Sequence, residues 1–312
     1  MRVRETLNGV LRTGILRAAD SARVRRVMDR HGMRLGASRF VAGETLDACV
    51  VVLRHLADQG LHANTTLLGE GVADEAAAAG VALEYERILS RLVDERLPVN
   101  VALKLTHLGL ELDEELAYAN VERVVAHAGR LGSFVRIDME HSAAVDATLR
   151  IYRRLRENGH DCVGTVLQAY LYRSAADLEG LLELSPNLRI VKGAYLESPE
   201  IAHPAKADVD RAYAALAEQA LLGGAYTAIA THDTTLIESL LAYAAREEIG
   251  RDRYEVQMLY GVRPALQLEY VRRGLKVLVA TPYGPEWYPY LMRRLAERPA
   301  NVGFLARNLA RR

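Results

Sequence analysis

Residues 163–194, VGTVLQAYLYRSAADLEGLLELSPNLRIVKGA, decide the fold. A short apolar run opens the stretch at 163–170. An Ala/Leu/Glu-rich segment long enough for a helix follows at 175–184, and a second short run closes it at 189–194. The same alternation extends in both directions. Short runs fall at 65–68, 99–106, 134–139, 163–170, 189–194, 226–231, 254–259 and 276–280. Between and after them lie amphipathic segments at 73–95, 113–130, 143–158, 175–184, 208–223, 234–250 and 264–274. Strands that alternate with helices predict a parallel sheet, and eight strands close a (βα)₈, or TIM, barrel. A doubly wound open sheet is the competing architecture. It would carry a Gly-rich phosphate loop after its first strand. Here Leu68-Gly69-Glu70-Gly71 runs on into Val72, Ala73 and Asp74, and no GxGxxG is present. Upstream, Leu46, Val50, Leu53 and Leu56 recur at helical spacing. The expectation is an α/β chain with N-terminal helices over 1–60 and a barrel over 61–312.

Composition supports an enzyme of ordinary surface chemistry. Half of the 312 residues are hydrophobic, enough for a sizeable core. Forty Lys and Arg balance forty Asp and Glu, so the basic excess typical of nucleic-acid binding is missing. The two cysteines, Cys49 and Cys162, make neither a disulfide framework nor a zinc cluster. No apolar run approaches the ~20 residues of a membrane span, and the N-terminus lacks the apolar core of a secretory signal. A soluble, cytoplasmic protein is expected.

Chemistry in a barrel gathers at the C-terminal ends of the strands. In Asn100-Val-Ala-Leu-Lys104-Leu-Thr106, period two places Asn100, Lys104 and Thr106 on one face. Arg136-Ile-Asp138-Met-Glu140 repeats the pattern. Strand four carries Gln168, strand five Arg189 and Lys192, strand six Thr231, His232 and Asp233, and strand seven Glu255 and Gln257. Past strand eight, Tyr290, Arg293, Arg294 and Glu297 share one helical face. Each has a plainer reading: Asp138 with Arg136 as a structural ion pair, His232 as a core histidine, Arg293-Arg294 as a solvated face. Jointly, charged groups at successive strand ends are costly unless paired or used. Asp138-Met139-Glu140-His141 is a poor metal motif, and no GxSxG elbow is present. Two chemistries remain. A Schiff-base lyase or aldolase would use Lys104 or Lys192 as nucleophile. Cations and amides at several heights suit a large anionic cofactor better, and a flavin needs such groups.

The segments Leu67-Leu-Gly-Glu70, Val101-Ala-Leu-Lys104, Arg136-Ile-Asp-Met-Glu140, Leu167-Gln-Ala-Tyr170, Arg189-Ile-Val-Lys-Gly-Ala-Tyr195, Ala230-Thr-His-Asp233, Gln257-Met-Leu-Tyr-Gly261 and Tyr290-Leu-Met-Arg-Arg294 occur in this order. Together they resemble the flavin-dependent proline dehydrogenases, and the chain looks like a bacterial monofunctional member. The resemblance implies a distorted (βα)₈ barrel that binds FAD non-covalently. It also implies oxidation of L-proline to Δ1-pyrroline-5-carboxylate, with a quinone as electron acceptor, at the membrane surface at most peripherally. It assigns Arg189 to the flavin N5 edge, with Asp138 as the second catalytic residue. Lys192, Gly193 and Ala194 would hold the ribityl and pyrophosphate region, Thr231 and His232 the adenosine side, and Met139, Gln168 and Gln257 the ring. Arg293 and Arg294 would clamp the substrate carboxylate, Lys104 and Asp138 would flank it, and Tyr290 would pack on its ring. Glu70 would pair with an arginine of the last helix as a gate. Where the family carries a tyrosine two residues before Pro282, this chain has Ala280, which implies a roomier pocket.

Overall fold

A computed structural model describes residues 28, 32, 33 and 36–297, with side chains to 294. Eight strands form a closed parallel barrel in chain order. They are β1 (His62–Leu67), β2 (Val99–Leu103), β3 (Val135–Ile137), β4 (Val163–Gln168), β5 (Asn187–Val191), β6 (Tyr226–Ala230), β7 (Tyr254–Leu259) and β8 (Val277–Tyr283). The helices are α1 (Leu46–Asp58), α2 (Glu75–Asp94), α3 (Glu114–Arg130), α4 (Val145–Glu157), α5 (Ser174–Leu182), α6 (Lys206–Leu222), α7 (Thr234–Arg246), α8 (Pro264–Arg272) and α9 (Trp287–Glu297).

Register explains how one sequence serves two faces. Thr65, Val101, Val135 and Val163 are successive partners, as are Thr165, Leu188, Thr227 and Tyr254. These rows are buried and look out toward the helices. The alternate row, Ala102, Arg136 and Gly164, then Val166, Arg189, Ala228 and Glu255, looks into the barrel. The helices answer with apolar stripes. In α2, Ala78, Ala82, Tyr85, Ile88, Leu89 and Leu92 are buried at helical spacing, and each large one contributes about 1.5–3 kcal/mol of burial. Asp74 caps this helix by accepting from the Ala77 N–H at 2.8 Å, and Asp113 caps α3 from Leu116 at 2.8 Å.

The chain divides into two compact units. One comprises Leu53–Thr66 and Glu70–Ala280 and holds most of the barrel. The other comprises Met1–Val52, Leu67–Gly69 and Thr281–Arg312. Within the second, the Leu68 N–H donates to the Tyr283 carbonyl at 2.7 Å, and Ala42 N–H to that of Pro282 at 2.8 Å. Trp287, 1% exposed, donates from its indole to Glu44 at 2.8 Å. Gly284 has φ +129°, and a Cβ there would lie 3.2 Å from the Leu68 nitrogen, so the turn after β8 requires glycine.

Several strand boundaries differ from those expected. The first strand starts at His62, not 65, because its polar inner positions disguise it as loop. The second ends at Leu103, so Thr106 belongs to a 3₁₀ turn (Thr106–Leu108) and not to the strand face of Asn100 and Lys104. Of the N-terminal helices expected over 1–60, α1 is seen, and residues 1–27, 29–31, 34 and 35 lie outside the described residues.

Candidate active site

Four odd-numbered strands meet through one side chain. Arg189, in β5, donates from Nε to Gln257 Oε1 of β7 at 2.6 Å. Its Nη1 donates to Asp138 just past β3 at 2.5 Å, and its Nη2 to Asn64 of β1 at 3.2 Å. The guanidinium is only 10% exposed, and Asp138 offsets its charge. Alternate strands fill one layer of a barrel, and this layer is filled by a cation, a carboxylate and two amides. Two residues lower on the same strands lies a second polar layer: Arg136, Asn187 and Glu255, with His62 nearby. Arg136 donates to the carbonyls of Thr165 at 2.9 Å and Asn187 at 2.6 Å, and also to the Asn187 side chain. Burial first, then Arg189, lowers the Arg136 pKa to about 10. Gly164 makes room, since a Cβ there would lie 2.4 Å from the Arg136 guanidinium. Asp138 therefore pairs with Arg189 and not, as its neighbour in sequence suggested, with Arg136.

Above this layer the strand exits carry the other candidates. Lys104 is ion-paired with Glu70. The buried Glu140 accepts from the Thr106 hydroxyl at 2.7 Å and backbone N–H at 3.1 Å. Its own pKa is raised by burial, against the pull of the Thr106 bonds. Gln168 donates to the Glu140 carbonyl at 2.7 Å, and Met139 is buried. Lys192 lies between Asp210 at 2.5 Å and Asp233 at 3.2 Å, and Lys206 pairs with the same two carboxylates. Gly193 adopts φ +113° with the Tyr170 ring 2.2 Å from where a Cβ would be, so Ala194 follows a turn only glycine can make. Thr231 accepts from the Asp233 N–H at 3.2 Å. His232 Nε2 accepts from the Leu259 N–H at 2.9 Å, which puts its proton on Nδ1. Ala280 closes this unit with its carbonyl accepting from Tyr260 at 2.9 Å.

Tyr290, Arg293 and Arg294 lie on α9 in the other unit, each partly exposed, with Leu291 and Met292 buried between them. Among the described residues no group of His, Cys, Asp and Glu is placed to hold a metal. The sequence reading missed Asn64, whose strand was misplaced, and the use of Asp210 and Lys206, which sit on a helix and carry no motif. The donor set fits a flavin. A buried guanidinium, amides at the same height and a lysine one turn of chain higher offer the charge and hydrogen bonds such a group needs. Neither Lys104 nor Lys192 stands in the apolar isolation that activates a Schiff-base amine.

A parallel (βα)₈ barrel with its polar groups gathered at the strand exits is the architecture of a catalytic barrel. The family model described as proline dehydrogenase matches residues 49–307. Proline dehydrogenase 1 of Bacillus subtilis subsp. natto is 41% identical over 282 residues, 90% of this chain and 93% of that one. Proline dehydrogenase of Deinococcus radiodurans is 38% identical over 307 residues, 97% and 99% respectively. Among solved structures, proline utilization A (PutA) from Bdellovibrio bacteriovorus, inactivated by N-propargylglycine, superposes with TM-score 0.78 at 25% identity. That match covers 83% of this chain and 32% of the PutA chain. The chain belongs to the proline dehydrogenase family. It is an oxidoreductase acting on proline.

Proposed function

We propose that this barrel oxidises L-proline to Δ1-pyrroline-5-carboxylate with non-covalently bound FAD and passes the electrons to a quinone. Residues 61–312 form the catalytic barrel in this reading and 1–60 an N-terminal extension. The observation that carries it is the layer in which Arg189 joins Asp138, Gln257 and Asn64. When bound, the flavin supplies the two-electron acceptor for hydride from the proline ring. Arg189 would place positive charge at its N5 edge, and Gln257, Gln168 and Met139 would frame its ring. Lys192, Gly193 and Ala194 would hold the ribityl and pyrophosphate region, and Thr231 and His232 the adenosine.

Arg293 and Arg294 grip the substrate carboxylate with charge-assisted bonds, which two planar forks do better than lysines. Tyr290 packs on the proline ring, and the aliphatic stems of the arginines help to exclude water. Lys104 and Asp138 flank the substrate and bias loss of the amine proton before hydride leaves. Glu70, held by Lys104 in this structure, exchanges that partner for an arginine of the last helix as the site closes. The pocket wall at Ala280 is open. The reaction runs in the cytoplasm, with at most peripheral contact to the membrane that holds the quinone.

One spectrum tests the reading. Purified protein shows flavin absorption, proline bleaches it without oxygen, and a short-chain quinone restores it. A colourless protein that forms a borohydride-trapped adduct with a carbonyl compound overturns it in favour of the lyase.

A further inference from the structure

Gln257 faces Arg189 with its oxygen, and that orientation is not intrinsic to the residue. A glutamine amide can reverse at no cost in shape. Reversed, it would set its NH₂ against the Arg189 Nε–H, donor to donor. Arg189 disfavours that reversal from above, and a second group that selects the observed orientation lies two residues down the same inward row. Glu255 Oε1 accepts from Gln257 Nε2 at 2.6 Å. A carboxylate only accepts, so the amide nitrogen must point to it and the amide oxygen away. Glu255 is 3% exposed. Its other oxygen accepts from the Tyr226 hydroxyl and the Lys276 ammonium, both at 2.9 Å. Burial alone would raise its pKa, but Lys276, Gln257 and Tyr226 hold it below the usual value.

We propose that Glu255 is a positioning residue: its carboxylate fixes the amide of Gln257, and through it the pose of the Arg189 guanidinium. The polar chain Lys276–Glu255–Gln257–Arg189–Asp138 then runs up the barrel axis from the lower layer to the site. The role of Arg189 in this inference rests on the proposed function, but the geometric link does not.

The test reads the Arg189 Nε–H directly, by NMR of protein labelled with ¹⁵N-arginine, the resonance being assigned by its loss in Arg189→Lys. Glu255→Gln keeps the shape and removes the orienting charge, because a glutamine there can donate as well as accept. Its Nε–H signal is expected to shift and to exchange with solvent at least about tenfold faster. A second variant, Glu255→Gln with Lys276→Met, avoids stranding the lysine cation and is expected to give the same result in a well-folded protein. In the loaded enzyme, kcat for proline is expected to fall about 10–100-fold, the usual scale for a residue supporting a site from behind, with KM changed less. In a Gln257→Met background, Glu255→Gln is expected to change neither readout further. An unaltered Nε–H in both Glu255 variants, or effects that add to those of Gln257→Met, overturns the proposal. The NMR readout needs no cofactor, so a protein that fails to bleach with proline refutes the activity and leaves the positioning test intact.

Discussion

Single residues here carry constraints that their type alone does not announce. Gly193 is one: with φ +113° and the Tyr170 ring where a Cβ would go, Gly193→Ala has to move both the turn and the ring. Strain of about 1–3 kcal/mol is expected in urea unfolding. Flavin content should fall with it, since the turn carries Lys192 and Ala194, and Gly193→Ala with Tyr170→Ala should recover part of the stability. His107 is another. Its Nδ1 is buried without a hydrogen-bond partner among the described residues, and burial first, then the Lys104 charge, pushes its pKa down to about 4. The unfolded chain therefore takes up this proton before the folded one. Stability is fully present above pH ~6.5 and is lost as pH falls toward 4, on the order of 3 kcal/mol in all. Urea midpoints measured from pH 7 to 4.5 should fall less in His107→Leu than in the parent. Equal slopes would assign the acid sensitivity elsewhere.

At the scale of elements, the proposed function divides substrate recognition between charge on α9 and shape at Ala280 of β8. Arg293→Lys and Arg294→Lys should each raise KM for proline by about one to two orders of magnitude, the loss of a charge-assisted bond costing about 1.5–3 kcal/mol. Flavin content should stay level, and unchanged KM in both variants would remove the carboxylate clamp. Ala280→Tyr should build a wall midway along β8, which runs on to Tyr283. Proline binding is expected to tighten by about 1–3 kcal/mol, and discrimination against 4-hydroxyproline to sharpen. Steady-state kinetics on the two substrates decide it. The elements themselves were largely legible. All eight strands and the helices between them follow from apolar runs set against 3.6-residue stripes. The misses at strand ends run both ways. His62 and Asn64 point inward, and a polar interior makes a strand read as loop. Thr106 is the opposite case: its place in the period-two pattern reads as strand, but it lies in a 3₁₀ turn, where its hydroxyl binds Glu140. Which partner a charge chooses was not legible at all. Asp138 stands two residues from Arg136 and bonds Arg189, which the chain brings back only two strands later, in β5. Local spacing names the charged groups of a barrel, and closure of the barrel chooses their pairs.

For the whole molecule, the two compact units allow more than one unfolding transition. The unit of Leu53–Thr66 and Glu70–Ala280 contains most of the strands and helices, while Met1–Val52, Leu67–Gly69 and Thr281–Arg312 make up the other. The sequence has a single tryptophan, Trp287, and it belongs to the smaller unit, where its indole donates to Glu44. Nature has thus placed the only indole fluorophore as a local reporter. Its emission follows the surroundings of α9, whereas far-ultraviolet circular dichroism is dominated by the barrel helices. If the units open separately, the fluorescence transition in urea should precede the dichroism transition. Glu44→Gln, which weakens the indole's acceptor, should shift the fluorescence curve alone. Coincident curves would instead make the molecule a single cooperative unit, and would turn the same tryptophan into a convenient gauge of global unfolding.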